Sequence, residues 1–129
     1  MITSSTPAND VATLLSTLGY GTIATDIFVW QAPDSPDNII TVYDVTISEP
    51  EINYTYDRHS VQIMVRRKRA NQDESRLRLL QIMSALHGYV GSVGGVSYHL
   101  IKVTSGPLDI GEDDKGRLRW TINLEIQRS

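Results

Sequence analysis

Tyr56-Asp57-Arg58-His59-Ser60-Val61-Gln62-Ile63-Met64-Val65-Arg66, continuing through Arg67 to Lys68, is the stretch whose reading decides the fold. Val61, Ile63 and Val65 recur at every second residue, opposite Ser60, Gln62, Arg66 and Lys68. Successive strand side chains point to opposite sheet faces, so this is a strand with one apolar and one polar face, broken only by Met64. Asn71-Gln72-Asp73-Glu74 then has the form of a capping box, and its acidic pair suits the positive end of a helix dipole. The helix it opens places Leu79, Ile82, Met83 and Leu86 on one face and stops at about His87, before Gly88.

Outward from this strand and helix, the C-terminal part is equally regular. Leu118, Trp120, Ile122, Leu124 and Ile126 alternate with Arg119, Thr121, Asn123, Glu125 and Gln127, the pattern of a half-buried strand. A strand over Tyr98–Thr104 precedes it. Asp113-Asp114-Lys115-Gly116 supplies the turn of a C-terminal β-hairpin, with Gly116 free to adopt positive φ.

Toward the N-terminus, Thr6 caps a helix whose first position is Pro7, and Val11, Leu14, Leu15 and Leu18 form its apolar stripe up to Gly19 and Gly21. Ile27–Trp30 and Ile39–Val45 read as strands, divided by Ala32-Pro33-Asp34-Ser35-Pro36-Asp37-Asn38, which cannot continue either of them. Ser48-Glu49-Pro50-Glu51 interrupts the pattern and opens a connection of about ten residues to the next strand, a length often mobile or tied to function. The order α-β-β-β-α-β-β-β predicts an α+β domain, two helices packed on a largely antiparallel β-sheet, with residues 1–129 forming one domain.

The order of these motifs, from the strand at Asn38 to Gln127, resembles the minor capsid or tail terminator proteins of tailed bacteriophages. It runs from the Tyr56–Arg66 strand through the Ala85-Leu86-His87-Gly88 helix end to Ser105-Gly106-Pro107-Leu108, Asp114-Lys115-Gly116-Arg117 and Trp120-Thr121-Ile122-Asn123-Leu124. The resemblance implies a structural protein, not an enzyme. In that family a ring, usually of six subunits, stacks on the last ring of tail-tube protein, stops polymerisation and offers a surface to the neck. Implied partners are therefore further copies of the chain, the tail tube protein and a neck or head-completion protein. The implied place is the head–tail junction of the virion, with assembly in the host cytoplasm. A head-completion or neck protein of the connector is the alternative reading.

Composition agrees with this class. Twelve basic against fifteen acidic residues leave a net charge of −3, which argues against a protein whose main affinity is for phosphate backbones. With no cysteine, disulfides, zinc–thiolate sites and thiol nucleophiles are excluded. No apolar run approaches the ~20 residues needed to cross a bilayer.

Candidate chemistry is thin. His59, His87 and His99 share no ligand spacing, so neither a metal site nor a general base is expected, and no cofactor. Gly88-Tyr89-Val90-Gly91-Ser92-Val93-Gly94-Gly95 leaves a helix and enters a strand, the reverse of a phosphate loop. Ser92 also lacks the spacing of a nucleophile elbow, so a flexible connection is expected. Asp109–Trp120 fails as a calcium loop because Trp120 stands where a bidentate glutamate belongs.

Charge patterning points to assembly instead. Arg66, Arg67 and Arg69 end one strand, and Asp113 and Asp114 tip the hairpin. These five are the expected subunit interface, with the acidic tip of one copy meeting the basic strand end of the next. No aromatic residue interleaves with the basic run, which leaves at most weak contact with DNA passing through the ring.

Overall fold

The computed structural model describes residues 6–47, 57–93 and 95–128. In chain order they form α1 (Pro7–Thr17), β1 (Ile27–Val29), β2 (Ile39–Ile47), β3 (Asp57–Arg67), α2 (Gln72–Leu86), β4 (Tyr89–Val93), β5 (Val96–Glu112) and β6 (Leu118–Arg128), with a single 3-10 turn, Arg69–Asn71, leading into α2. The order is the expected one, and the architecture is α+β, two helices on a curled six-stranded sheet ordered β1-β2-β3-β6-β5-β4.

The sheet is mixed, which corrects the expectation of a largely antiparallel one. β1 runs parallel to β2 in the register Ile27↔Ile40, Phe28↔Thr41, Val29↔Val42. Parallel neighbours cannot be joined by a tight turn. The proline-bearing segment 30–38 supplies the return path, lying against the sheet and not simply bridging two strand ends.

β3 sits between β2 and β6, with Val61, Ile63 and Val65 opposite Leu124, Ile122 and Trp120. Their shared face meets Val11, Leu14 and Leu15 of α1 and Leu79, Ile82 and Leu86 of α2 in one apolar core. Ile122, Leu124 and Ile126 are buried there, whereas Trp120 is half-buried at its margin.

Both ends of α1 are fixed as the sequence suggests. Thr6 has extended backbone angles and its Oγ1 accepts from the Asn9 N–H at 3.3 Å, while Gly19 follows the helix with φ +89°. Asp44 adds a cap from β2, its Oδ1 accepting from the Ala8 N–H at 2.9 Å. Negative charge there opposes the positive end of the helix dipole. Beneath α1, Asp10 Oδ2 accepts from Arg128 Nη1 at 2.9 Å and from the Tyr98 hydroxyl at 2.5 Å, and all three residues are buried. Burial, followed by the Asp10 carboxylate, pushes the Tyr98 hydroxyl pKa far above its ordinary value.

Gly88–Gly95 departs from its expected role as a flexible connection. Residues 89–93 are β4, paired antiparallel with the start of β5 from Tyr89↔Ile101 to Val93↔Val96. Glycines mask the alternation that would have marked this strand. Gly88 turns the chain out of α2 with φ +83°, and its N–H donates to the Ile101 carbonyl at 2.7 Å. The expected connection opening at Ser48 lies outside the described residues, as does the side chain of the expected helix cap Asn71.

Candidate functional site

The five residues expected at a subunit contact do not form one patch. Arg66 and Arg67 are neighbours on β3 and so face opposite ways. Arg66 is only 3% exposed and turns to the face away from the helices, where its Nη2 donates to the carbonyl oxygens of Pro33 at 2.6 Å and Pro36 at 2.8 Å, and its Nε to that of Asp37 at 3.0 Å. Burial, and then the neighbouring Arg117, lower its pKa, against the pull of Asp113, Asp34 and Asp37. Arg67 lies on the helix side, in a shallow depression with Glu74, Leu77, Arg78 and Gln81. Burial, and then Arg78, lower its pKa. Neither arginine projects freely beyond the sheet.

The acidic tip is also used within the subunit. Asp113 Oδ1 accepts from the N–H groups of Lys115 at 3.0 Å and Arg117 at 2.9 Å, and its Oδ2 accepts from Arg117 Nε at 2.7 Å. Desolvation raises the Asp113 pKa, but the Arg117 bonds outweigh it and the net direction is down. Gly116, at φ +72°, closes this turn. Arg69 forms an ion pair with Glu112 of its own chain. Asp114 is exposed and, among the described residues, takes part in no ion pair.

The physical reason is strand order. β6 pairs with β3 up to Leu118↔Arg67, and β5 pairs with β6 up to Glu112↔Leu118, so the basic strand end and the acidic turn are neighbours in one sheet. Within the subunit Arg69 is paired with Glu112 and Asp113 with Arg117, while Arg66 is spent on backbone carbonyls.

Arg117, noted in the sequence only as the end of the Asp114–Arg117 motif, was not among the expected contact residues. It is buried, and beyond Asp113 its Nη1 donates to the Asp34 carbonyl at 2.5 Å while its Nη2 meets Asp34 Oδ1 at 3.1 Å. Burial works to lower its pKa, but Asp113 and Asp34 raise it. Lys115 pairs with Asp34 and Lys68 with Asp37, the latter at 3.7 Å. Segment 31–38 is therefore tied down by two buried arginines and a ring of ion pairs. It covers the second face of the sheet, and Ile39, Thr41, Met64 and Thr121 are buried on that side. The visible signal was Met64, an apolar residue on the supposedly polar face of β3.

Exposed large apolar side chains occur on several elements. Leu18, Ile23, Trp30 and Val45 belong to the end of α1 and the β1–β2 edge, whereas Leu77, Leu80, Val90, Leu108 and Ile110 belong to α2 and the β4–β5 edge. Trp30 stands edge-on to Tyr43 with ring centroids 6.3 Å apart, and its Nε1 donates to Asp44 Oδ2 at 3.1 Å.

The histidines do not converge. His59 is buried on β3, His99 is exposed on β5, and His87 accepts at Nδ1 from the Val103 N–H at 3.1 Å. Among the described residues no group of His, Asp or Glu is arranged to hold a metal ion, and no helix is long and apolar enough to cross a membrane.

The described residues thus form a two-helix, curled mixed-sheet domain in which much of the charged chemistry of segment 31–38 and the β5–β6 turn is bonded within the chain. The family described as bacteriophage tail terminator protein matches residues 14–129, and the chain belongs to that family. It is a structural phage tail protein and a virion component. One solved structure is similar in fold, with TM-score 0.54 and 16% identity over 96% of this chain and 97% of that one. No curated protein matches the sequence.

Proposed function

We propose that the protein forms a closed ring at the head-proximal end of the tail tube, stops tail polymerisation and joins the tail to the neck. The observation that carries this reading is the family match over residues 14–129, nearly the whole described fold. Ring closure requires a heterologous contact, two different surfaces on each subunit whose repeated rotation returns to its start. Six copies are the expected number. The tail tube protein would meet one face of the ring and a neck or head-completion protein the other, with DNA passing through the lumen.

The five charged residues keep a place in this contact, in two roles. Arg69 and Asp114 are exposed and stand at its polar rim. Arg66, Arg67 and Asp113 act from within, holding segment 31–38, the underside of α2 and the β5–β6 turn in the shape a neighbour meets. Interfaces are commonly built this way, with a less polar centre inside a polar, hydrated rim.

Adding the purified protein to polymerising tail tube protein tests the reading. Growth should halt at substoichiometric amounts, since one ring suffices per tube end. Growth continuing unchanged at equimolar protein would refute it.

A further inference from the structure

We infer that segment 31–38 and the β5–β6 turn are one conformational unit, coupled through Arg117, which opens and closes on the sheet while the sheet stays folded. The coupling lies within one subunit and is independent of the ring.

Segment 31–38 has no apolar anchor. None of its residues is buried, and among the described residues its backbone bonds to no other backbone group. Every bond it makes involves a side chain: Thr41 Oγ1 donates to the Gln31 carbonyl at 3.1 Å, Arg66 to those of Pro33, Pro36 and Asp37, and Asn38 Oδ1 accepts from the Lys68 N–H at 2.9 Å. Groups freed by opening can turn to water, so opening costs far less than parting the apolar core.

Arg117 is the joint. It is 5% exposed, just past the turn, and its guanidinium reaches two loops far apart in sequence. Nε donates to Asp113 Oδ2 at 2.7 Å, Nη1 to the Asp34 carbonyl at 2.5 Å and to Asp37 Oδ1 at 3.3 Å, and Nη2 to Asp34 Oδ1 at 3.1 Å. A planar guanidinium fixes these directions relative to one another, so the Asp113 bond aims the fork that segment 31–38 receives. Lys115 adds a second link through its ion pair with Asp34, but both groups are exposed and the pair contributes little.

Removing either carboxylate therefore loosens both loops. Without Asp113 the guanidinium loses the bond that holds its plane, and without Asp34 the turn loses the partner that holds Arg117 down. Coupling of this kind is reciprocal. A contact that steadies the turn, whose Asp114 is exposed, steadies segment 31–38 as well, and a contact along the segment steadies the turn.

Limited proteolysis of the whole chain at neutral pH tests this, with a protease that cuts after aspartate. Cleavage at Asp34 and Asp37 reports the segment and cleavage at Asp114 the turn, each tracking the open population of its loop. The Asp113 carboxylate is bonded only to Lys115 and Arg117. Asp113→Asn should nonetheless speed cleavage at Asp34 and Asp37 roughly 5- to 150-fold, the usual range of coupling between sites. Asp34→Asn should speed cleavage at Asp114 in the same way. On an Arg117→Gln background neither substitution should add further cleavage in the other loop, and should that background not fold, the two single variants decide alone. Urea unfolding of the same samples gives the cleavage due to global unfolding, which both loops should exceed.

An unchanged segment in Asp113→Asn, or an unchanged turn in Asp34→Asn, would overturn the inference. So would full additivity on the Arg117→Gln background, or cleavage that follows global unfolding in every variant. Each of these outcomes leaves the ring reading standing.

Discussion

Arg66 donates to the carbonyl oxygen of Pro33, thirty-three residues earlier in the chain, at 2.6 Å. This bond joins the middle of the sheet to the segment that crosses its second face. Guanidinium is suited to the task because it carries several donors in a fixed plane and stays charged when buried. Arg66→Ala should therefore destabilise the protein by roughly 2–4 kcal/mol, from unmet carbonyls and lost charge-assisted bonds. Urea unfolding measures it. Arg66→Lys should recover little, since an ammonium cannot reach three carbonyls in one plane.

Trp120 and Ile122 separate the centre of the core from its margin. Ile122 is fully buried, so Ile122→Ala should cost roughly 2–5 kcal/mol. Trp120 is half-buried and its indole N–H has no hydrogen-bond partner among the described residues, so Trp120→Ala should fall at or below the low end of that range. Thermal midpoints in the opposite order would show that the sheet is not centred on β3 and β6.

Much of this fold is legible in the sequence where periodicity is strong. β3, β6 and the Thr6–Pro7 helix start follow from local spacing alone. Strand neighbours do not, because pairing joins residues far apart: nothing near Arg69 says that Glu112 will lie beside it. The alternation rule did carry one unused consequence, that adjacent Arg66 and Arg67 must part to opposite faces. The role of Arg117 was hidden for a different reason. A single arginine beyond a turn reads as solvated, and only the returning 31–38 segment buries it.

Acid should loosen that segment before it unfolds the core. The Asp34 pKa is lowered, first by its bond with Lys115, and that of Asp113 is lowered against desolvation by Arg117. With folded values below the unfolded ~3.9, their contribution is complete above that pH and is lost as pH falls through the folded values. Amide exchange in residues 31–38 should accelerate in that range ahead of exchange in β3. Simultaneous loss of protection would contradict the assignment.

At the alkaline end the sign reverses. The Tyr98 hydroxyl pKa is raised, so its protonated form is favoured in the folded state, and its contribution is complete below the unfolded ~10 and lost as pH rises beyond it. Ultraviolet titration should show one tyrosine that ionises only on unfolding, and Tyr98→Phe should remove that step.

Charge reversal at the proposed rim separates assembly from folding. Asp114→Lys and Arg69→Glu should weaken self-association, more so at low salt, while leaving the unfolding free energy within about 0.5 kcal/mol of the parent's. Asp113→Lys should differ by also destabilising the fold, since Asp113 accepts three bonds in the β5–β6 turn. Light scattering and urea unfolding on the same samples distinguish the two effects.

Electron microscopy of tail tubes incubated with the purified protein tests the central claim most directly. The account predicts a ring of extra density, coaxial with the tube, at one end of each tube and never along its length, with tubes so capped no longer elongating. Bare ends on tubes that keep growing, or protein bound along the sides, would contradict it.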